Sequence, residues 1–243
     1  MKKSLKTIVI AASTVIIILL LMLLYMYFNG LSDLYAHTAP SEGQIKVACV
    51  GDDITYGHGI SNWPKNNYPA VLSSILGDSY HVQNFGQRGA TLQKSTDRSY
   101  TNGKQYFLSL EYGADILIFM LGTNDSRIER WTDAEIFITD YEEIINSYKG
   151  ENPNIRIILC TPACAFFDGD KADGETNFGL RPSIITEIAT RIRSFALAKG
   201  YELVDVYNLT KSHPEWFEND NVHPSNNGAR AIAELIAEKI KSK

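Results

Sequence analysis
Asp220 and His223 stand three residues apart, just ahead of a helically patterned stretch from Ser225 to Lys241. A carboxylate so placed can accept a hydrogen bond from one imidazole nitrogen, fixing the tautomer and leaving the other nitrogen as a general base. Gly89 offers a backbone N–H and Asn124 a side-chain amide. Such neutral donors suit a charge that develops only in a transition state, and with the N–H of residue 53 they would make a three-donor oxyanion cradle. The chemistry open to these groups is acyl transfer. At the centre lies Val47-Ala48-Cys49-Val50-Gly51-Asp52-Asp53, an apolar run broken by glycine and two adjacent acids. Singly, each residue has a plainer reading: Gly89 as a turn, Asn124 as a cap, His223 as a surface histidine beside a carboxylate. Their order, each after the end of an element, argues for a site.

The elements that must position them follow from periodicity. Val47 to Val50 reads as a buried strand, Tyr80 to Phe85 alternates as a second, and Asp115 to Leu121 is apolar on both faces. Ile155 to Cys160 and Leu203 to Val206 complete five strands. Helical spacing covers Asn67 to Leu76, Asp133 to Lys149 with Thr132 or Asp133 as cap, Pro182 to Lys199, and Ser225 to Lys241. Strands alternating with helices predict an α/β domain with a parallel sheet between helical layers. In such a sheet the polar clusters after the strands converge on one rim, the usual ligand site.

Before this body, Lys2, Lys3 and Lys6 precede an uncharged stretch rich in Ile, Leu and Met. The expected organisation is a cytoplasmic tail over 1–6, a transmembrane signal anchor over 7–30, a tether over 31–44 and one domain over 45–243. The apolar length suits a span of about 20 residues and exceeds a signal-peptide core of about 7–15. Basic residues before it and acids after it place the domain outside the cell membrane, tied through the anchor. A net charge of −5 argues against a nucleic-acid partner. Three cysteines do not make a disulfide framework. Cys49 and Cys160 read as buried thiols, and Cys160 with Cys164 could pair across a loop.

The four clusters Gly51-Asp52-Asp53, Asn84 to Thr91, Gly122-Thr123-Asn124-Asp125 and Asp220 to His223 resemble, in order and spacing, the blocks of the SGNH (GDSL-type) hydrolase family over residues 45–241. The resemblance implies a three-layer α/β/α sandwich with a flavodoxin-like five-stranded parallel sheet. It implies esterase activity on small acyl esters, with acetylated carbohydrate as the expected substrate. Gly-Thr-Asn-Asp-Ser with Trp131 nearby looks most like the carbohydrate or sialate O-acetylesterase branch. The implied roles are His223 and Asp220 as the base pair, Gly89, Asn124 and the N–H of Asp53 as oxyanion donors, and residue 53 as nucleophile. Asp52 and Trp131 are expected at the substrate. No metal and no cofactor is implied.

The departure from that family is Asp53, where the family has serine. A carboxylate is a poor nucleophile towards esters, would give a reactive anhydride, and brings its own negative charge to the place of the oxyanion. Three outcomes follow: a dead or binding-only site in which Asp53 accepts the cradle's hydrogen bonds and pairs with His223, a slower hydrolysis with Asp53 as base or nucleophile, or an altered serine enzyme. Thr55, two residues on, could supply a hydroxyl nucleophile in its place, but its spacing turns it into the following helix. A catalytically silent glycan- or envelope-binding domain on the same scaffold is the main rival.

Other classes fail on residues. A receiver domain needs a phospho-accepting Asp after the third strand, where Met120 and Leu121 stand. Haloacid-dehalogenase-like phosphatases want Asp-x-Asp after the first strand, and Gly-x-Gly-x-x-Gly is absent there too. The stretch Asp168 to Gly174 departs from calcium-loop spacing and reads as a solvated loop. His37, His58, His81 and His213 lack metal-ligand spacing. Trp63, Trp131, Phe166, Phe167 and Trp216 could line a sugar-stacking cleft or pack against the core.

Overall fold
The computed structural model describes residues 2–26, 37–167 and 178–242. They fall in two compact units, Met1–Ala39 and Pro40–Lys243. The first unit contains one helix, α1 (Lys2–Met26). Among the described residues no helix is long and apolar enough to cross a membrane. The last residues of the expected span, 27–30, and the tether residues 31–36 lie outside the described residues, as does the loop at Asp168 to Gly174.

The second unit is built on β1 (Ile45–Gly51). Two short helical turns, α2 (Asp53–Tyr56) and α3 (Trp63–Asn66), lead to α4 (Tyr68–Leu76), whose cap Asn67 accepts a hydrogen bond from the Ala70 N–H. Then come β2 (Tyr80–Gly86), α5 (Lys104–Glu111), β3 (Ile116–Met120) and α6 (Ala134–Glu151). Asp133 caps α6 through the Glu135 and Ile136 N–H groups. The chain closes with β4 (Arg156–Cys160), α7 (Pro182–Lys199), β5 (Glu202–Val204), α8 (Val206–Thr210) and α9 (Asn226–Lys241).

The five strands form one parallel sheet in the order β2-β1-β3-β4-β5. Alternation along the strands separates two cores. Val47, Cys49, Ile118 and Ile158 pack against Val71 and Leu72 of α4 and Ile232, Ile236 and Ile240 of α9. Ala48, Val50, Leu117 and Phe119 face Phe137, Tyr141 and Ile145 of α6 and Ile188 and Ile192 of α7. The result is the expected three-layer α/β/α sandwich. The chain order reverses direction across the sheet between β1 and β3, so the loops leaving those strands diverge and open a crevice.

Two expectations change. The fifth strand stops at Val204, because Asp205 caps α8 by accepting the Asn208 N–H at 3.1 Å, and Val206 becomes the first residue of that helix. Helix α5 is not foreseen by the periodicity. It starts at Gly103 without a side-chain cap, and its Phe107 is exposed while Gln105 and Ser109 are buried.

Candidate active site
Gly51 ends β1 in the plane of the sheet. A Cβ there would meet the Met120 carbonyl oxygen at 2.5 Å, so only glycine lets the chain turn here. Asp52 follows as the cap of α2, with Oδ1 accepting the Ile54 N–H at 3.0 Å. It is fully buried. Burial first, then the charge of Asp53, push its carboxyl up to about 7. Its Oδ2 makes no sound hydrogen bond, although the Thr123 hydroxyl lies near enough to lower the pKa somewhat. Asp52 therefore does not reach a substrate as expected, because its side chain is committed inward to its own helix terminus.

Asp53 is half-buried in the first turn of α2. Its Oδ2 accepts the Gly89 N–H at 2.7 Å and the Asn124 Nδ2–H at 2.7 Å. The two donors expected to stabilise an oxyanion thus converge on one point, and the carboxylate of residue 53 occupies it. Gly89 reaches this point with a φ of +73°, which favours a residue without a side chain. Asn124 opens a short 3-10 turn after β3 and also donates to the Ala90 carbonyl at 3.1 Å. The next residue holds the neighbouring loop. Asp125, fully buried, accepts the Leu92 and Gln93 N–H groups at 2.8 Å each. Burial outweighs those bonds and raises its carboxyl to about 6. Gln93 carries the tie onward, donating to the Arg130 carbonyl and accepting from the Thr132 hydroxyl.

The base pair sits in the turn before α9. His223 Nδ1 lies 2.7 Å from Asp220 Oδ2, and Asp220 Oδ1 accepts the Val222 and His223 N–H groups at 2.9 Å each. Burial opposes the Asp220 charge, but these three bonds win and hold the carboxyl down at about 2. The imidazole is 5% exposed, with Phe178 edge-on at 5.3 Å. Among the described residues no hydrogen bond or ion pair joins His223 to Asp53. Of the first of the three outcomes, the cradle's hydrogen bonds to Asp53 are formed and the pair with His223 is not.

His58 links the two halves, and sequence reasoning gave it no role. Its N–H donates to the Asp53 carbonyl at 2.9 Å, and its ring stands edge-on to His223 with centroids 4.6 Å apart. Burial, then the proximity of His223 and Arg88, lower its pKa. The only signal was its place five residues after Asp53. Thr55 is excluded as a nucleophile: it is fully buried and its hydroxyl contacts Tyr68 Oη at 3.1 Å.

The aromatic candidates divide. Trp131 packs on Phe137 at 5.7 Å at the edge of the core and stays partly exposed. Trp63 stacks on Tyr56 at 4.9 Å, Trp216 stacks on His213 at 3.8 Å, Phe166 packs on Phe217, and Phe167 is exposed. Cys49, Cys160 and Cys164 are free and buried. Among the described residues no three His, Cys, Asp or Glu side chains gather as a metal site.

Known proteins resemble this chain in sequence and in fold. An acetylxylan esterase from Xylanibacter ruminicola is 32% identical over 221 residues, covering 84% of this chain and 44% of its own length. This chain thus spans a little under half of that relative. A carbohydrate acetylesterase structure from Sinorhizobium meliloti superposes with a TM-score of 0.66 at 17% identity, over 82% of this chain and 99% of that one. An aryl esterase from M. smegmatis gives 0.64 at 16% identity over 82% and 99%. At such identities the two structures speak for the fold alone. The model of the GDSL-like lipase/acylhydrolase family matches residues 49–231, from within β1, ahead of Asp53, to the first turns of α9, beyond His223. That span takes in every cluster described above, and the chain belongs to this family.

Proposed function
We propose that residues 45–243 form an acetyl-ester site for carbohydrate substrates, held in a self-occupied state by Asp53. One observation carries the reading: Asp53 Oδ2 takes both cradle donors at 2.7 Å, where the carbonyl oxygen of an ester would have to sit. For hydrolysis the ester oxygen must displace that carboxylate. Hydrogen bonds to a charged group are worth about 1.5–3 kcal/mol each, and a neutral carbonyl recovers less. Once the cradle is vacated, His223, oriented by Asp220, takes a proton from water as it attacks the acyl carbon. The acetyl carbon–oxygen bond to the sugar then breaks, and the proton passes to the departing sugar oxygen. Without a hydroxyl nucleophile this route retains only about the 10³–10⁴-fold advantage over water that a cradle and binding supply in a serine protease.

Support for an acetylated sugar as substrate comes from the acetylxylan esterase relative. The test is acetate release from acetylated xylan by the protein, by Asp53→Ser, and by Asp53→Ser with His223→Ala. Slow release by the protein, an increase of at least about 10³-fold in Asp53→Ser and its loss in the double variant are expected. An Asp53→Ser variant no faster than the parent would overturn the reading. The same contact favours one alternative, a binding-only domain. Saturable binding of acetylated glycan with no acetate release from the parent protein would select it.

The localisation we propose is the outer face of a cell membrane, with residues 7–30 as anchor. Three lysines before an uncharged stretch support it, as do the exposed apolar side chains from Val15 to Leu24. Recovery of the full chain in the soluble fraction after cell lysis would contradict it.

A further inference from the structure
Arg88 directly precedes Gly89, whose N–H is a cradle donor. Its guanidinium carbon lies 5.9 Å from the centre of the Tyr56 ring. That ring also stacks on Trp63 at 4.9 Å, with 20° between the planes. Tyr56 ends α2, the turn that begins with Asp53, so this aromatic pair and the guanidinium belong to the rim of the same site. The charge of Arg88 is felt at His58, whose ring touches His223.

Not every arginine of this chain is tied to a carboxylate. Arg127, Arg130, Arg156, Arg191 and Arg193 each face a carboxylate within 4.0 Å. Arg88 is exposed and, among the described residues, makes no hydrogen bond or ion pair. Asp53 is close by but spends Oδ2 on neutral donors. A ring contact restrains the arginine side chain while leaving its five N–H donors unspent. That fork matches a carboxylate in two parallel hydrogen bonds, and prior restraint reduces the entropy lost when they form. The protein's net charge of −5 gives an anionic glycan no general attraction, so a preference for one must come from a local contact.

We propose that Arg88 is a specificity residue selecting acetylated glycans that carry a uronic acid carboxylate beside the sugar bound at the site. The inference rests on the carbohydrate reading above and narrows its substrate class to acidic sugars. The carboxylate docks on the Arg88 fork while the neighbouring sugar ring lies along the Tyr56–Trp63 edge.

The test is a binding measurement, so it does not depend on turnover. Dissociation constants by calorimetry are compared for acetylated xylotriose and for the same acetylated trisaccharide bearing one glucuronic acid, with the intact protein and with Arg88→Gln. The acidic sugar is expected to bind about tenfold more tightly, a preference weakened by added salt and abolished in Arg88→Gln, whose melting temperature stays that of the parent. Equal affinity for both sugars, or a preference that survives Arg88→Gln, overturns the proposal and leaves the carbohydrate reading standing. Binding of neither sugar overturns both.

Discussion

The side-chain amide of Asn124 donates to Asp53 Oδ2 at 2.7 Å, across 71 positions of sequence. The contact brings together the loops leaving β1 and β3, the two strands between which the sheet changes direction. It also shows how the acid at residue 53 is accommodated. A carboxylate buried without partners would be costly, whereas here two neutral donors already aimed at that point satisfy it. The acid that fills the cradle is thus compatible with a well-formed site.

Removal of that amide separates its two uses. In an Asp53→Ser background, Asn124→Ala is expected to lower kcat for acetyl-ester hydrolysis by about 10²–10³-fold, the loss of about 2.7–4 kcal/mol typical of one oxyanion donor. KM should change little. Steady-state kinetics on p-nitrophenyl acetate check this, and an unchanged kcat would mean that Asn124 does not face the reacting oxygen.

The buried acids give the stability a pH dependence with a definite sign. The carboxyls of Asp52 and Asp125 are raised to about 7 and about 6, against about 3.9 in the unfolded chain. Between those values the folded state holds protons that the unfolded state has lost, so stability falls as pH rises from about 4 to 7. The depressed carboxyl of Asp220, at about 2, acts in the opposite sense: its contribution is present above about 4 and is lost as pH falls towards 2. Melting temperatures at pH 5 and pH 8 should therefore show a loss at the higher pH. Asp52→Asn, which keeps the cap's acceptor, should shrink that loss. A loss of equal size in the variant would show that Asp52 does not carry it.

Asp125 is expected to act on the site through the Leu92–Gln93 loop. Asp125→Ala leaves two buried N–H groups without an acceptor, each worth about 1–3 kcal/mol. Part of this is returned by removing a buried acid, so the expected net loss is about 2 kcal/mol in urea unfolding. Asp125→Asn, with one carbonyl acceptor, should lose less. A variant as stable as the parent would show that the loop is held by Gln93 alone.

Much of this was legible in the residues. The strands were plain because a parallel sheet buried on both faces demands continuous apolar runs such as Ile116 to Met120. The helix α6 was plain because Asp133 announces its start and Phe137, Tyr141 and Ile144 keep its spacing. Helix α5 was hidden because no side chain caps it and its apolar residues point to more than one side. The convergence of Gly89 and Asn124, and the Asp220–His223 contact, followed from family spacing. The rest depends on tertiary direction. A sequence does not tell a carboxylate turned onto its own helix, as Asp52 is, from one turned to a ligand. Nor does it tell that His58 will lie against a histidine 165 residues further on, since loop packing alone brings them together.

The most direct measurement of the central claim, that donors and base are assembled around residue 53, is stoichiometric labelling of Asp53→Ser by diethyl p-nitrophenyl phosphate. The introduced hydroxyl attacks phosphorus, p-nitrophenolate leaves, and His223 takes the proton. Intact-mass analysis should find one diethylphosphoryl group per chain in Asp53→Ser, none in the parent protein, and almost none when His223→Ala is added. A folded Asp53→Ser variant that stays unlabelled, or one labelled equally fast without His223, would contradict the account.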